Sequence, residues 1–398
     1  TYTVVAHGAN PVSKEVNVTS GTRTPVTLTF ATLEIDVESG YGQIDSYSNI
    51  DTIGGEYIDG KDVPKDGVAT YHLAPGTYEA IAIKEGEVSK PVTLVAGTTT
   101  PVTLTFATVE VDVESGYGQI DSYSNIDTAD GEYIDGKDVP KGGVATYHLD
   151  PGSYKAIGIE ANEVVENISI TAGTTTAANL TFATLELDAK AGPRQIDSYS
   201  NIDEEDGDYV DGKDLSKDGV SIYHLAPGVY DASVVEANSI TRRVSVSAGE
   251  TQRETMSFAV LNVSTTAGSG SATLDTVNND YVDSKSVPEQ GGVEFHLNPG
   301  SYDLTVNSDG SDISVSETTT VFAENRTMAT VDFSSNTLSL LTEEYVAAEF
   351  DVSDLTFSAT ELSTGSSLTV SATVENTGEK SGSYAVDFKT DGEVTATK

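Results

Sequence analysis

The sequence predicts an all-β chain, built of tandem immunoglobulin-like β-sandwich modules arranged in series as an elongated rod. Three observations lead there. The dipeptide PG falls at 75–76, 151–152, 227–228 and 299–300, at spacings of 76, 76 and 72 residues, with YHLAPG, YHLDPG, YHLAPG and FHLNPG marking each place. So regular a period is the signature of stacked modules. Apolar and polar residues then alternate through TLEIDV, VATYHL, YEAIAI and PVTLTF, the two-residue period of strands with one buried face. Finally, no stretch of ten residues has the spacing of an amphipathic helix.

Within a copy, turns are expected at APG, KEGE, VAGTTT and DGKD, where Gly, Pro and Asp supply the dihedrals that tight reversals need. Short strands at roughly ten-residue spacing suit two packed sheets around one core. Module boundaries are placed at the TF-AT junctions, giving 31–106, 107–182 and 183–258, followed by a divergent repeat at 259–333. Residues 1–30 match only the last strands of a module, because Thr1 aligns with Thr77. They are expected either as a cut end or as a part completed by a neighbouring subunit. Residues 334–344 are expected as a linker before a final segment at 345–398.

Composition narrows the function. There are 21 lysines and arginines against 63 aspartates and glutamates, for a formal charge of -42. Such a chain repels nucleic acid and anionic membranes and attracts cations or basic partners. The charge is tolerable where salt screens it to a few ångströms, which suits a salt-loving source. Cysteine is absent, so disulfides and thiolate chemistry are excluded. No apolar run reaches eighteen residues, so no membrane-spanning helix is expected in this segment.

The acidic stretches carry ligand types that suit a metal. Asp59, Asp62 and Asp66 lie in DGKDVPKDG, with equivalents Asp135 and Asp138 in the second copy and Asp211, Asp214 and Asp218 in the third. Calcium needs six to eight oxygens from closely spaced carboxylates and carbonyls, so these loops are candidate calcium ligands. They equally suit a solvated polar edge: Gly142 replaces the third carboxylate in one copy, and Ser286 and Gln290 replace two in the last, beside Asp283. In IDSYSNID, Ile44 and Ile50 are expected inward, Asp45, Ser46, Ser48 and Asp51 outward, and Asn49 at a turn. Tyr47 and Tyr57 offer aromatic faces for a sugar or serve as ordinary sandwich residues.

Catalysis finds no footing. His72, His148, His224 and His296 share one repeat position and are expected as surface strand residues, one per module, where they do not converge on a metal. No phosphate-binding glycine motif, HExxH or distinguishable Ser-His-acid set occurs. Lys61, Lys137 and Lys213 raise an intramolecular isopeptide link but are expected as salt-bridged or free surface lysines. Asn17, Asn167, Asn179, Asn262 and Asn325 begin N-x-[ST] sequons and are candidate glycosylation sites in an exported chain.

GVATYHLAPGTYEAIAIKEGEVSKPVTLVAGTTTPVTLTF resembles the second half of the carboxypeptidase-regulatory-like, transthyretin-like family, with PG followed one residue later by Tyr78, Tyr154, Tyr230 and Tyr302 in the four copies. That resemblance covers roughly residues 1–333 and implies a non-catalytic surface module, often set in series as a stalk. TGSSLTVSATVENTGEKSGSYAVDF, within 345–398, resembles the adhesion-related CARDB domain, here without its last strands. Together these imply a secreted, prokaryotic and archaeal cell-surface protein that forms a filament, stalk or layer with copies of itself or other surface proteins. An adhesin for glycans or another cell, and a virion fibre, are the alternatives.

Overall fold

The computed structural model describes residues 1–217, 219–346, 348–358, 369–380, 387–390 and 393–397. The chain is all-β and divides into two compact units: Thr1–Thr184 with His224–Gly228 and Val246–Thr251, and Leu185–Tyr223 with Val229–Ser245 and Gln252–Lys398.

In the first unit, β1 (Tyr2–Ala6) and β2 (Val12–Val16) pair as an antiparallel hairpin. The next module contains β3 (Ala31–Ser39), β4 (Gly42–Gln43), β5 (Ser46–Thr52), β6 (Tyr57–Val63), β7 (Ala69–Leu73), β8 (Gly76–Ile83), β9 (Glu87–Leu94) and β10 (Thr99–Thr105). One sheet is organised on β3, which pairs antiparallel with β4 and β7 and parallel with β10. The other runs β6-β5-β8-β9 and is wholly antiparallel. The alternation of ATLEIDVES decides the inward face of β3: Ala31, Leu33, Ile35 and Val37 are fully buried and meet Ile50, Tyr71, Leu73, Ala80 and Leu104 in one core. The module beginning with β11 (Ala107–Ser115) repeats this core through Val109, Val111, Ile126, Tyr147 and Leu180.

In the second unit the strands Ser198–Glu204, Tyr209–Leu215 and Gly228–Val235 repeat the register of β5, β6 and β8. The divergent repeat keeps the same plan around Leu261, Leu274, Phe295, Leu304 and Val331. Farther on, Phe350–Phe357 pairs with Val370–Asn376, and Asp387–Thr390 with Glu393–Thr397.

Several local expectations change. DGKD is not a turn. Asp59, Gly60, Lys61 and Asp62 lie inside β6, paired in register with Ile50, Asn49, Ser48 and Tyr47. Its polarity hid the strand because Lys61 turns inward to cap the core: its ammonium donates to the Thr70 carbonyl and lies 4.7 Å from the centroid of the Tyr71 ring. Ser48, expected outside, is fully buried, 2.7 Å from the Tyr71 hydroxyl, which also donates to the Ser48 carbonyl at 2.9 Å. It shares the inward parity of Ile50, and the buried phenol supplies its partner. Asn49 sits in β5 rather than at a turn. The stretch 334–344, expected as a linker, carries the strand Thr337–Glu344, paired with Asn325–Asp332; Leu338 and Leu340 pack against the fourth core.

Candidate functional site: the joints between modules

The joints begin with the absence of a linker. β10 ends at Thr105 and β11 begins at Ala107, leaving only Phe106 between them. That ring is fully buried, and its N–H donates to the Glu38 carbonyl at 2.8 Å. Phe182 repeats both features, its N–H reaching the Glu114 carbonyl at 2.8 Å. At Phe258 the strand does not break at all and runs from Thr251 to Thr265. A hydrogen-bonded strand with a buried aromatic at its crossing point has little freedom to bend, in contrast to a flexible linker.

The PG-x-Tyr motif is the second component. Tyr78, Tyr154 and Tyr302 donate back over the turn to the carbonyls of Ala74, Asp150 and Asn298, at 2.7, 3.0 and 2.6 Å. An asparagine projecting from the preceding segment docks on this corner. Asn10 accepts from the Ala74 N–H and donates to the Tyr78 hydroxyl, both at 2.7 Å. Asn238 does the same to Asn298 N and the Tyr302 hydroxyl, again both at 2.7 Å. Asn162 accepts from Ala226 N at 2.7 Å, both residues belonging to the first unit. The three asparagines occupy one repeat position.

The histidines belong to this surface too. Alternation does turn them away from their own core, yet three of them face a neighbouring module's residues. The ring of Tyr41 stands edge-on to His148 at 6.1 Å and that of Tyr117 edge-on to His224 at 6.2 Å. Thr108 and Thr184 link the same rings to the backbone of the preceding segment: each hydroxyl lies 3.3 Å from its histidine Nδ1 and accepts from Gly40 N at 3.0 Å or Gly116 N at 3.1 Å.

The joints are not chemically identical. At the third joint, the Glu236 carboxylate lies 3.1 Å from His296 Nδ1 and the Glu294 carboxylate 2.8 Å from Nε2. Hydrogen bonds from Glu236 and then Glu294 prevail over burial and push the imidazole up to about 9. At the first, Gly86 stands where the others have asparagine, and a Cβ there would lie 2.8 Å from Asp150 Oδ1. The docking is taken over by Glu85, which accepts from Lys137 Nζ at 2.6 Å and His148 N at 2.9 Å. Burial raises the Glu85 carboxyl, but those bonds win and hold it below the ordinary carboxylate range. Burial is also the main cause that depresses His148.

The aspartates singled out from the sequence are placed differently. Asp59 Oδ1 accepts from Gly60 N at 3.0 Å and Oδ2 lies 4.0 Å from Lys61; Asp135 and Asp211 lie 3.7 and 3.5 Å from Lys137 and Lys213. Asp62, Asp138 and Asp214, three residues along each strand, project from the opposite face by alternation. Asp66 lies on the following turn with φ of 65°, and Asp218 lies outside the described residues. Among the described residues no three His, Cys, Asp or Glu side chains are grouped to hold a metal. Of the sequons, Asn17, Asn167 and Asn179 are exposed, whereas Asn262 and Asn325 are half-buried.

The two tyrosines come together on the outer sheet face, where burial first and the neighbouring Tyr47 hydroxyl second raise the Tyr57 phenol above its ordinary value. Gly60 is needed beneath them, because a Cβ there would meet the Tyr47 hydroxyl and lie 2.6 Å from Asn49 Oδ1. Asn49 Oδ1 and Asp51 Oδ1 are buried under this cover without a hydrogen-bond partner, as are their equivalents in Asn125 and Asp127.

No family model matches the sequence, and no curated protein matches it. Among solved structures, the TIE protein of Bacillus anthracis is similar at 12% identity, covering 78% of this chain and 75% of that one, with a TM-score of 0.19. BcpA, the major pilin subunit of Bacillus cereus, aligns at 10% identity over 57% of this chain and 98% of its own, with a TM-score of 0.18. A putative cell adhesion protein of Bacteroides ovatus aligns at 9% over 41% and 96%, with a TM-score of 0.24.

Proposed function

We propose that this protein is a structural component of an extracellular surface filament, stalk or layer, whose role is to hold acidic β-sandwich modules in fixed succession. The observation that supports this is the joint: strands continue from module to module through one buried phenylalanine, and asparagines lock onto PG-x-Tyr corners. The -42 charge fits an exterior that keeps neighbouring copies hydrated and apart, and it suits a prokaryotic, salt-rich and archaeal setting. Copies of itself or other surface proteins are the proposed partners.

Electron microscopy of the native protein at high salt, with and without a calcium chelator, tests the reading. Ordered filaments or layers, or stalks of constant module spacing, are expected. Modules that swivel freely about their joints would overturn it. Loss of order on chelation would assign calcium to the aspartates of β6, its equivalents and the turns that follow them. The second reading, a glycan-binding adhesin, draws on the exposed Tyr47–Tyr57 face and its equivalents, and predicts saturable sugar binding lost on Tyr57→Ala. A virion fibre would share the same joints and be recognised by association with particles.

A further inference from the structure

We infer that the joint between modules 31–106 and 107–182 is a binding site for a small oxyanion-bearing ligand. A cleft of about 280 Å³ opens there, lined by Tyr41, Gln43, Ile44, Asp45, Lys65 and Lys84 from one module and His148 from the next. Two lysines against a single aspartate in one cleft is contrary to the composition, in which acids outnumber lysines and arginines 63 to 21. Among the described residues neither Lys65 nor Lys84 has a carboxylate within ion-pair distance, although most other cations of the chain do. The one acid in the lining, Asp45, is engaged: its Oδ1 accepts from Lys65 N at 2.6 Å. Tyr41 likewise directs its hydroxyl to Glu110, outside the lining, leaving its ring to form a wall.

The residues equivalent to Lys84 are Glu160 and Glu236, and Glu236 is bonded to its joint histidine. At this joint the acid is replaced by a cation, and the structural docking passes to Glu85, which binds Lys137 and His148 N from beside the cleft. The joint is thus closed by other means, and the side facing the cleft is left positive. A carboxylate, phosphate or sulfate placed between Lys65 and Lys84 would supply the negative charge that Glu236 brings to the third joint, and the Tyr41 ring offers an apolar face for the body of the ligand.

The test is calorimetric titration of the full chain in low-chloride buffer with glucuronate, inorganic phosphate and sulfate, using glucose as the neutral control. Saturable one-site binding of at least one anion but not of glucose is expected; which anion binds tightest identifies the source. Lys84→Glu should weaken binding at least tenfold while leaving the fold intact, since glutamate is the residue the other joints use. Lys65→Gln should weaken it as well. Lys90→Glu makes the same charge change on β9, outside the cleft, and should leave binding unchanged. No saturable binding of any anion, or equal losses in Lys84→Glu and Lys90→Glu, would overturn the site.

Discussion

The third joint makes a prediction whose sign and size follow from one imidazole. His296 is raised to about 9 by Glu236 and Glu294, from an ordinary value near 6.5 in the unfolded chain. A raised folded value means that the proton stabilises the fold. That contribution is fully present below about pH 6.5 and is lost as pH climbs through 9. A rise of about 2.5 pKa units corresponds to about 3 kcal/mol, and the imidazole is only 22% exposed, so solvent screens little of it. Proton NMR should show one of the five histidines titrating near 9. Calorimetric melting of the full chain should show one transition falling between pH 7 and 10. Glu236→Gln keeps an acceptor for Nδ1 but removes the charge, so the titration should drop by a unit or more and the alkaline fall should shrink with it. A His296 midpoint within half a unit of 6.5, or a transition indifferent to pH across that range, would refute the assignment.

Other perturbations test other contacts. The first joint should respond to acid, because Glu85 and His148 are both depressed: their contributions exist above their ordinary values and vanish as pH falls through the folded ones, seen as amide exchange at His148 N that loses its protection only below the ordinary carboxylate range. Asn238→Ala removes two hydrogen bonds and leaves Asn298 N unpaired, costing about 2–4 kcal/mol and exposing that amide to exchange. Tyr71→Phe should cost about 1–3 kcal/mol by removing the two hydrogen bonds between the phenol and Ser48, whose hydroxyl keeps only the Lys61 carbonyl at 3.2 Å, whereas Tyr71→Phe with Ser48→Ala should recover part of the loss in urea unfolding. Gly60→Ala should push Tyr47 off the sheet and cost about 1–3 kcal/mol, read as a lowered melting transition.

The core was legible because burial in a sandwich imposes a period of two, and β3 writes that period plainly in Leu33, Ile35 and Val37. The same period puts Ser48 inside with Ile50, but a serine alone signals exposure, and the partner that lets its hydroxyl be buried, Tyr71, is 23 residues away in sequence. DGKD misled for a similar reason. Its glycine accommodates a tyrosine hydroxyl and its lysine covers another aromatic ring, so a strand edge has the composition of a turn. The joints were invisible because their partners are 52 or more residues apart and belong to different copies. A signal was nevertheless available: Asn10, Asn162 and Asn238 stand at one repeat position, each ahead of a PG-x-Tyr corner.

Differences among copies fall in groups that share a contact, and this gives them physical meaning. Where Ser48 and Tyr71 have the equivalents Ala272 and Phe295, both hydroxyls of a buried pair are gone together, so neither is left unsatisfied. Where Tyr47 becomes Ser271, Asn49 becomes Thr273 and Gly60 becomes Ser284: the cover, its buried amide and the space beneath change as one. At the first joint Gly86 faces Asp150, where elsewhere an asparagine faces Ala74, Ala226 or Asn298, and Lys84 appears beside the compensating Glu85. A copy drifting without constraint would lose one partner at a time and retain stranded donors or acceptors. Joints altered as whole contacts keep their hold while their chemistry changes, which is what a chain must do if the same succession of modules is to stay rigid and still carry a different site at one junction.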